Sequence, residues 1–223
     1  MRASLCIIGS SLLVTVCVVR AELEASLLLG YASQYVDRGE FLGKDLFHLG
    51  FEPYGAIEVE GVGELEATAG LWQGSFTGGR ELNLYGEVYK DLGSLGAAVG
   101  ITHSSFSGMA PGSDHEIETY LLMEKTFAGL SLGAGAYFDA SDSLPNEVYL
   151  EFTADYAIPL GSLTLDLVAT YGYFDDGVAY SSLGAALEVP MGENVRVVPH
   201  LTGSHSRDLG DWFFGGVGAH FSF

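Results

Sequence analysis

Cysteine is nearly absent from this 223-residue sequence. The two cysteines, Cys6 and Cys17, both lie near the N-terminus, in a segment that we expect to be removed on export. Without that segment the chain has no thiol, which excludes disulfides, cysteine-ligated zinc and cysteine nucleophiles. The residues before Cys17, Val14-Thr15-Val16, do not resemble a lipoprotein processing site, so we expect no lipid anchor.

Long apolar runs are also scarce, and the one near the N-terminus has the layout of a secretory signal peptide. Arg2 supplies the positive charge, an interrupted apolar stretch follows, and small residues around Ala21 provide a cleavage site. The stretch is too short for a membrane-spanning helix, which needs about 20 apolar residues. We therefore predict a signal peptide over residues 1–21 and a single mature domain over residues 22–223.

Basic residues are few, since 9 lysines and arginines stand against 29 acidic residues, for a net charge of −20. The predicted signal peptide contains Arg2 and Arg20 and no acid, so the mature chain has 7 basic against 29 acidic residues, or −22. A chain this acidic cannot make many phosphate contacts, so we expect no nucleic-acid partner. Because 48% of the residues are hydrophobic and 12% aromatic, the chain is not disordered either.

Apolar and polar residues alternate with a period of two from residue 24 onwards, which is typical of β-strands with one apolar face. Near the C-terminus, for example, Phe213, Val217 and Phe221 fall on one face, and Gly218 and His220 on the other. The pattern predicts about twelve strands, near residues 24–36, 46–60, 62–76, 81–91, 94–106, 115–127, 130–139, 147–158, 162–174, 178–189, 194–204 and 212–223. We predict an all-β fold, a transmembrane antiparallel up-and-down barrel, because lipid would leave the edges of an open sheet unpaired.

The connections between these strands alternate in character. Polar connections such as Ser107 to His115 are followed by tight turns such as Leu92-Gly93-Ser94. Longer loops on one side and short turns on the other are typical of the extracellular and periplasmic ends of outer-membrane barrels. We therefore predict a bacterial outer-membrane location, with outer-membrane lipid and lipopolysaccharide as surroundings.

The last strand carries aromatic residues up to the end of the sequence. Phe221 and Phe223 resemble the terminal signal with which outer-membrane barrels commonly finish. We predict that they are recognised by the barrel-assembly machinery, after delivery by periplasmic chaperones.

The alternative to a membrane barrel is a soluble β-sandwich or lipocalin-like barrel, which would show the same period with apolar residues inside and acidic residues outside.

One short segment carries a family resemblance. Tyr35-Val36-Asp37-Arg38-Gly39 resembles the Tyr-Val-x-Arg-Gly signature of the TorF-type porins, although Asp37 stands where that family often has an aromatic residue. Gly70-Leu71-Trp72, Glu81 to Gly86 and Glu116 to Tyr120 are similar to later segments of the family, in the same order. The resemblance covers roughly residues 30–125. It implies an outer-membrane barrel and a channel without a defined substrate.

Acidic residues recur on the face opposite the apolar one. Ionised carboxylates packed in a dry core cost several kcal/mol each, so we expect this face to line a wet lumen. The predicted lumen and selectivity residues are Glu58, Glu60, Glu64, Glu66, Glu87, Glu116, Glu118 and Glu151. The first four of these bracket one short turn and are predicted to ring the periplasmic mouth.

An acidic lumen attracts cations, as rings of carboxylates do in channels. We therefore predict a porin-like channel for the passive diffusion of small cationic or neutral solutes. The alternative is a non-conducting structural or adhesive barrel, whose loop from Ser107 to His115 would bind an external partner. We expect no cofactor and no metal site, since no segment resembles a calcium-binding loop.

An enzymatic hypothesis rests on His103 and Ser105. Both fall on the predicted lipid-facing side, where some outer-membrane lipid hydrolases carry a His-x-Ser pair. A serine nucleophile needs a histidine base and a third group that orients the histidine. The nearby acids, Glu116 and Glu118, fall on the lumen face, so we expect no catalysis and keep lipid hydrolysis as the weaker alternative.

Overall fold

Twelve strands close into one antiparallel barrel in the computed structural model, which describes residues 23–108, 115–141 and 148–223. The strands are β1 (Glu24–Asp37), β2 (Glu40–Val59), β3 (Gly63–Phe76), β4 (Gly79–Asp91), β5 (Gly96–Ser107), β6 (His115–Phe127), β7 (Leu130–Asp139), β8 (Val148–Leu160), β9 (Leu163–Phe174), β10 (Ala179–Pro190), β11 (Val195–Ser206) and β12 (Gly210–Ser222). The predicted fold class is confirmed. The predicted signal peptide and most of the loop from Ser107 to His115 lie outside the described residues. In the three described stretches, no helix is long and apolar enough to cross a membrane.

Each strand pairs with its neighbours in sequence, and the barrel closes between β1 and β12. That seam extends from the Ser26–Ser222 pair to the Ala32–Gly216 pair. Beyond it, the backbone of Phe223 exchanges two hydrogen bonds with Ala25, of 2.9 and 3.3 Å. The predicted assembly residues therefore help to close the sheet, and their recognition by assembly factors stays a prediction.

The faces of the sheet have the polarity of a membrane barrel. Large apolar side chains point outward, as shown by Leu183 and Phe213, which are 66% and 67% exposed. An apolar surface that continues around the barrel is typical of contact with lipid. Acidic and tyrosine side chains lie inside, where Glu81 and Tyr149 are buried. This is the reverse of the soluble alternative.

The second strand differs from its predicted bounds. The alternation predicts a start at residue 46, whereas β2 begins at Glu40 and runs for 20 residues. The segment before residue 46 lacks clean alternation because it pairs only with β1 and is not part of the barrel wall between lipid and lumen. A two-residue turn at Arg38 and Gly39 joins β1 to β2, and both residues have positive φ, 44° and 83°, as a type I′ hairpin turn requires.

Candidate functional site: the lumen and the first hairpin

The β1–β2 hairpin separates from the neighbouring strands at the end of the barrel opposite residues 23 and 223. We call this end the loop end and the other the terminal end. β1 pairs with β12 as far as the Ala32–Gly216 pair, and β2 pairs with β3 from the Phe47–Ser75 pair. Residues 33–46 therefore form a two-stranded extension, called here the first hairpin, with its tip at residues 37–40.

Two irregularities allow the first hairpin to bend. The register between its strands shifts between Tyr35 and Val36, which marks a β-bulge. Asp45 has a positive φ of 55°, which is uncommon for a residue other than glycine. A bulge bends its strand and increases the local twist, so the extension can leave the direction of the barrel wall.

A small apolar cluster anchors the base of the first hairpin. Ala32, Leu46 and Phe76 are buried together, and Tyr35 and Leu42 pack against them. The Thr77 backbone N–H also donates to the Lys44 carbonyl at 2.7 Å. The base is thus attached to the end of β3 by packing and by one backbone hydrogen bond.

At the tip, Arg38 reaches the opposite side of the barrel. Its Nη1 and Nη2 atoms each donate to one carboxylate oxygen of Glu118 on β6, both at 2.7 Å. The guanidinium carbon also lies 4.9 Å from the ring centroid of Tyr137 on β7 and 4.4 Å from that of Tyr149 on β8. Bidentate pairing and stacking on aromatic faces are the two arrangements for which arginine is best suited.

Gly39 is enclosed next to Arg38. Its carbonyl accepts a hydrogen bond of 3.1 Å from Nε1 of Trp212 on β12, and the Trp212 ring stacks on Phe41 at 4.8 Å. A Cβ atom at residue 39 would lie 2.7 Å from the Cβ of Tyr180 on β10. Glycine is required here for both its positive φ and its lack of a side chain.

Tyr35 links the first hairpin to a third side of the lumen. Its hydroxyl donates to Oε2 of Glu81 on β4 at 2.7 Å, and Nδ2 of Asn83 donates to the other oxygen at 2.8 Å. Glu81 is only 6% exposed. Together with the contacts above, the first hairpin meets β3, β4, β6, β7, β8, β10 and β12. Since these strands lie on all sides of the barrel wall, the hairpin lies across the lumen at its loop end.

Below the first hairpin, toward the terminal end, the lumen contains a cavity of about 530 Å³. Glu66, Glu87, Glu124 and Glu151 line it, together with Tyr89. A polar space of this size holds many water molecules, since one water occupies about 30 Å³ in the liquid. The carboxylates of this cavity therefore face solvent inside the barrel.

Tyrosines hydrogen-bond several of the lumen carboxylates. Tyr149 and Tyr180 both donate to Oε2 of Glu151, at 2.5 and 3.1 Å, and Tyr85 donates to Glu52 at 2.7 Å. A neutral hydroxyl fixes the position of a carboxylate without cancelling its charge. The lumen surface thus keeps its negative field.

The predicted lumen acids fall into separate groups. Glu58 and Glu64 are paired across β2 and β3, and with Glu60 and Glu66 they form an exposed patch at the terminal end. The four lie on two neighbouring strands and their turn, so they occupy one side of that end and do not form the ring that the sequence predicts. The others are spread along the lumen: Glu87 and Glu151 border the cavity, and Glu116 and Glu118 lie on β6 at the loop end.

The predicted hydrolase pair has a different partner in the structure. Oγ of Ser105 lies 3.1 Å from Nδ1 of His115, and the His103 ring stacks on the His115 ring at 5.6 Å. Glu118 points into the lumen and binds Arg38. Within the described parts of the chain, no group of three or more histidine, cysteine, aspartate or glutamate side chains is placed to hold a metal ion.

The inward position of residues 35–39 could not be read from the sequence. The available signal was local: Arg38 and Gly39 are adjacent residues suited to a hairpin turn, with glycine at the second position. This signal does not indicate whether the turn points outward into solvent or back into the lumen. The partners Tyr180 and Trp212 lie more than 130 positions away in the chain and were not predicted as site residues.

These features define an outer-membrane type of β-barrel with a partly filled, acidic lumen. Among solved structures, the fold is similar to the KdgM porin, with a TM-score of 0.54 and 12% identity over 89% of this chain and 99% of that one. It is also similar to the COG4313 outer membrane channel from Pseudomonas putida F1, with a TM-score of 0.55 and 11% identity over 91% of this chain and 95% of that one.

A KdgM porin in complex with disordered oligogalacturonate matches as well, with a TM-score of 0.50 and 12% identity over 90% of this chain and 99% of that one. At these identities the similarity establishes the fold alone. No family model matches the chain, and no curated protein matches it. The TorF-type resemblance of residues 35–39 therefore stays a prediction.

Proposed function

We propose that this chain is an outer-membrane channel for the passive diffusion of small solutes, and that its lumen favours cations over anions. The observation that carries the proposal is the 530 Å³ lumen cavity bordered by Glu66, Glu87, Glu124 and Glu151. A barrel that serves only as a rigid scaffold gains nothing from carboxylates around an internal space, because ionised carboxylates keep that space hydrated instead of packed.

The balance of charge inside the barrel supports the preference for cations. Arg38 is paired with Glu118, and Arg196 lies 3.2 Å from Glu188. Both arginines are thus neutralised by a carboxylate, and the remaining lumen acids are in excess. A positive ion that enters is attracted by these acids and an anion is repelled, as in channels with acidic rings.

The apolar outer face supports a position in the bacterial outer membrane, surrounded by lipid and lipopolysaccharide. The loop end would then face the exterior and the terminal end the periplasm. Phe221 and Phe223 would serve as the signal for the barrel-assembly machinery after escort by periplasmic chaperones. The structural similarity to a porin and to an outer membrane channel agrees with passive transport as the function.

A second candidate is a non-conducting structural or adhesive barrel. It is favoured by the first hairpin, which occupies the lumen at the loop end. A weaker candidate is lipid hydrolysis, because Ser105 and His115 lie within hydrogen-bonding distance at 3.1 Å. Loss of a lipase signal in Ser105→Ala, with a folded barrel, would favour that candidate.

The test is a planar-bilayer recording of the purified, refolded protein under a KCl gradient. We expect discrete current steps and a reversal potential of the sign that indicates K⁺ preference. A reversal potential favouring Cl⁻ would contradict the proposed cation preference, while the proposal of a channel would still stand. A silent bilayer, with insertion verified by protease protection, would contradict the channel itself and favour the non-conducting barrel.

A further inference from the structure

The first hairpin crosses the lumen, and this position has a consequence for permeation. We propose that its tip, residues 37–40, is the constriction of the pore, and that the ion pair between Arg38 and Glu118 holds it in place. The inference rests on the proposed channel function and adds the element that limits its conductance.

The dimensions agree with a tip that spans the barrel. Twelve strands about 4.8 Å apart, tilted by about 40°, enclose a barrel roughly 24 Å wide between backbones. Five residue steps from Ser33 to Arg38 extend over about 17 Å. The Arg38 side chain covers the remaining distance, which explains why it meets β6, β7 and β8 on the side opposite β1.

The base and the tip are held by different kinds of interaction. The base is attached by the apolar cluster of Ala32, Leu46 and Phe76. The tip is attached by the bidentate Arg38–Glu118 pair, whose side chains are 29% and 23% exposed, and by the Trp212 hydrogen bond. Loss of the ion pair would therefore leave the tip held only on the β10 and β12 side, by Tyr180 and Trp212, so that the far side of the lumen is freed while the base keeps its position.

The surroundings of Arg38 predict how charge acts at the constriction. Asp37 interacts electrostatically with Arg38, and also with Glu118 and Glu151. Glu116 interacts electrostatically with Arg38 and Glu118. Arg38 thus offsets part of a negative cluster at the narrowest level of the lumen. Removing its charge makes this level more negative, and removing the charge of Glu118 makes it less negative.

Two substitutions separate the position of the tip from its charge. Arg38→Gln and Glu118→Gln both break the ion pair, so both are expected to raise the single-channel conductance in KCl, by about twofold or more. Their effects on selectivity differ in sign, because Arg38→Gln adds net negative charge and Glu118→Gln removes it. The ratio of K⁺ to Cl⁻ permeability should therefore rise in Arg38→Gln and fall in Glu118→Gln.

Arg207→Gln is the matched control, since Arg207 lies exposed in the β11–β12 turn at the same end. Its conductance should equal that of the wild type. Folding of each variant is checked by the mobility shift between boiled and unboiled samples in detergent gels. Should one of the two substitutions prevent folding, the other still tests whether the ion pair limits conductance.

The outcomes separate the inference from the proposed function. If the wild type conducts and both ion-pair variants have the same conductance, the inference that the tip is the constriction is overturned, while the proposed channel function still stands. A silent wild type with conducting variants would support the constriction in a closed form. Silence in all folded, inserted proteins would overturn both.

Discussion

Arg38 and Glu118 are 80 positions apart in the chain, yet their side chains form a bidentate ion pair at 2.7 Å across the lumen. One residue lies in the turn between β1 and β2, and the other lies on β6. The pair shows that the first loop-end connection does not extend into solvent. It folds into the barrel and is fixed to the far side.

Gly39 should tolerate no side chain. In Gly39→Ala the new Cβ lies 2.7 Å from that of Tyr180, and the φ of 83° is unfavourable for alanine. Strain at such a φ costs about 1–3 kcal/mol. The control is Gly93→Ala, where φ is also 83° and nothing lies within 4 Å of the new Cβ. Urea unfolding in detergent should show a larger loss of stability for Gly39→Ala. Equal losses would mean that contact with Tyr180 is unimportant.

The cavity acids should determine ion selectivity. We expect Glu66→Gln, Glu87→Gln and Glu151→Gln, combined in one protein, to lower the ratio of K⁺ to Cl⁻ permeability severalfold, because three carboxylates leave the lumen. The measurement is the reversal potential under a KCl gradient. Glu193→Gln removes one carboxylate from an exposed terminal-end turn outside the lumen and should leave the ratio unchanged. An unaltered permeability ratio in the triple variant would contradict the prediction that the lumen acids determine selectivity.

The hydroxyl of Tyr35 should stabilise the first hairpin. Tyr35→Phe removes the donor to Glu81, which is nearly fully buried, and an unsatisfied buried acceptor costs about 1–3 kcal/mol. Tyr54→Phe is the matched control, because its hydrogen bond to Glu24 is exposed to solvent. Equilibrium unfolding should show a clear loss for the first variant and little change for the second. The reverse order would contradict the described packing.

A charge on the outer face should hinder insertion. Leu183 lies within β10 and is 66% exposed, so we expect it to contact lipid. Leu183→Arg should reduce the free energy of folding into liposomes by about 2–4 kcal/mol if residue 183 lies near the bilayer centre. Met191→Arg, in a terminal-end turn, should cost far less. Equal folding of the two variants would contradict lipid contact at Leu183.

The positions of the strands were predicted well because their signal is local. Alternation over ten or more residues places β6 and β7 at the predicted bounds, residues 115–127 and 130–139. It also separates a lipid-facing from a lumen-facing set of side chains. The early start of β2 was missed, since residues 40–45 pair only with β1, across a bulge, and do not alternate between a lipid face and a lumen face.

The functional residues were predicted only in part. Glu118 was expected in the lumen and lies there, and Arg38 was singled out by a family resemblance. Their contact was not predicted, and neither were the partners of Gly39. Such contacts depend on the curvature of the closed sheet. The alternation of apolar and polar residues along each strand carries no information on that curvature.

The sequence by itself determined which side chains share a face of the sheet, because the period of two assigns each side chain to one face of a strand. The structure shows that the apolar face lies outside and the acidic face inside. Only the tertiary structure decided that the Tyr35 to Gly39 segment crosses the lumen. A hairpin turn has the same local conformation whether it points outward or inward. The choice is made by partners such as Glu118, Tyr180 and Trp212, which closure of the barrel brings to the tip from distant parts of the chain.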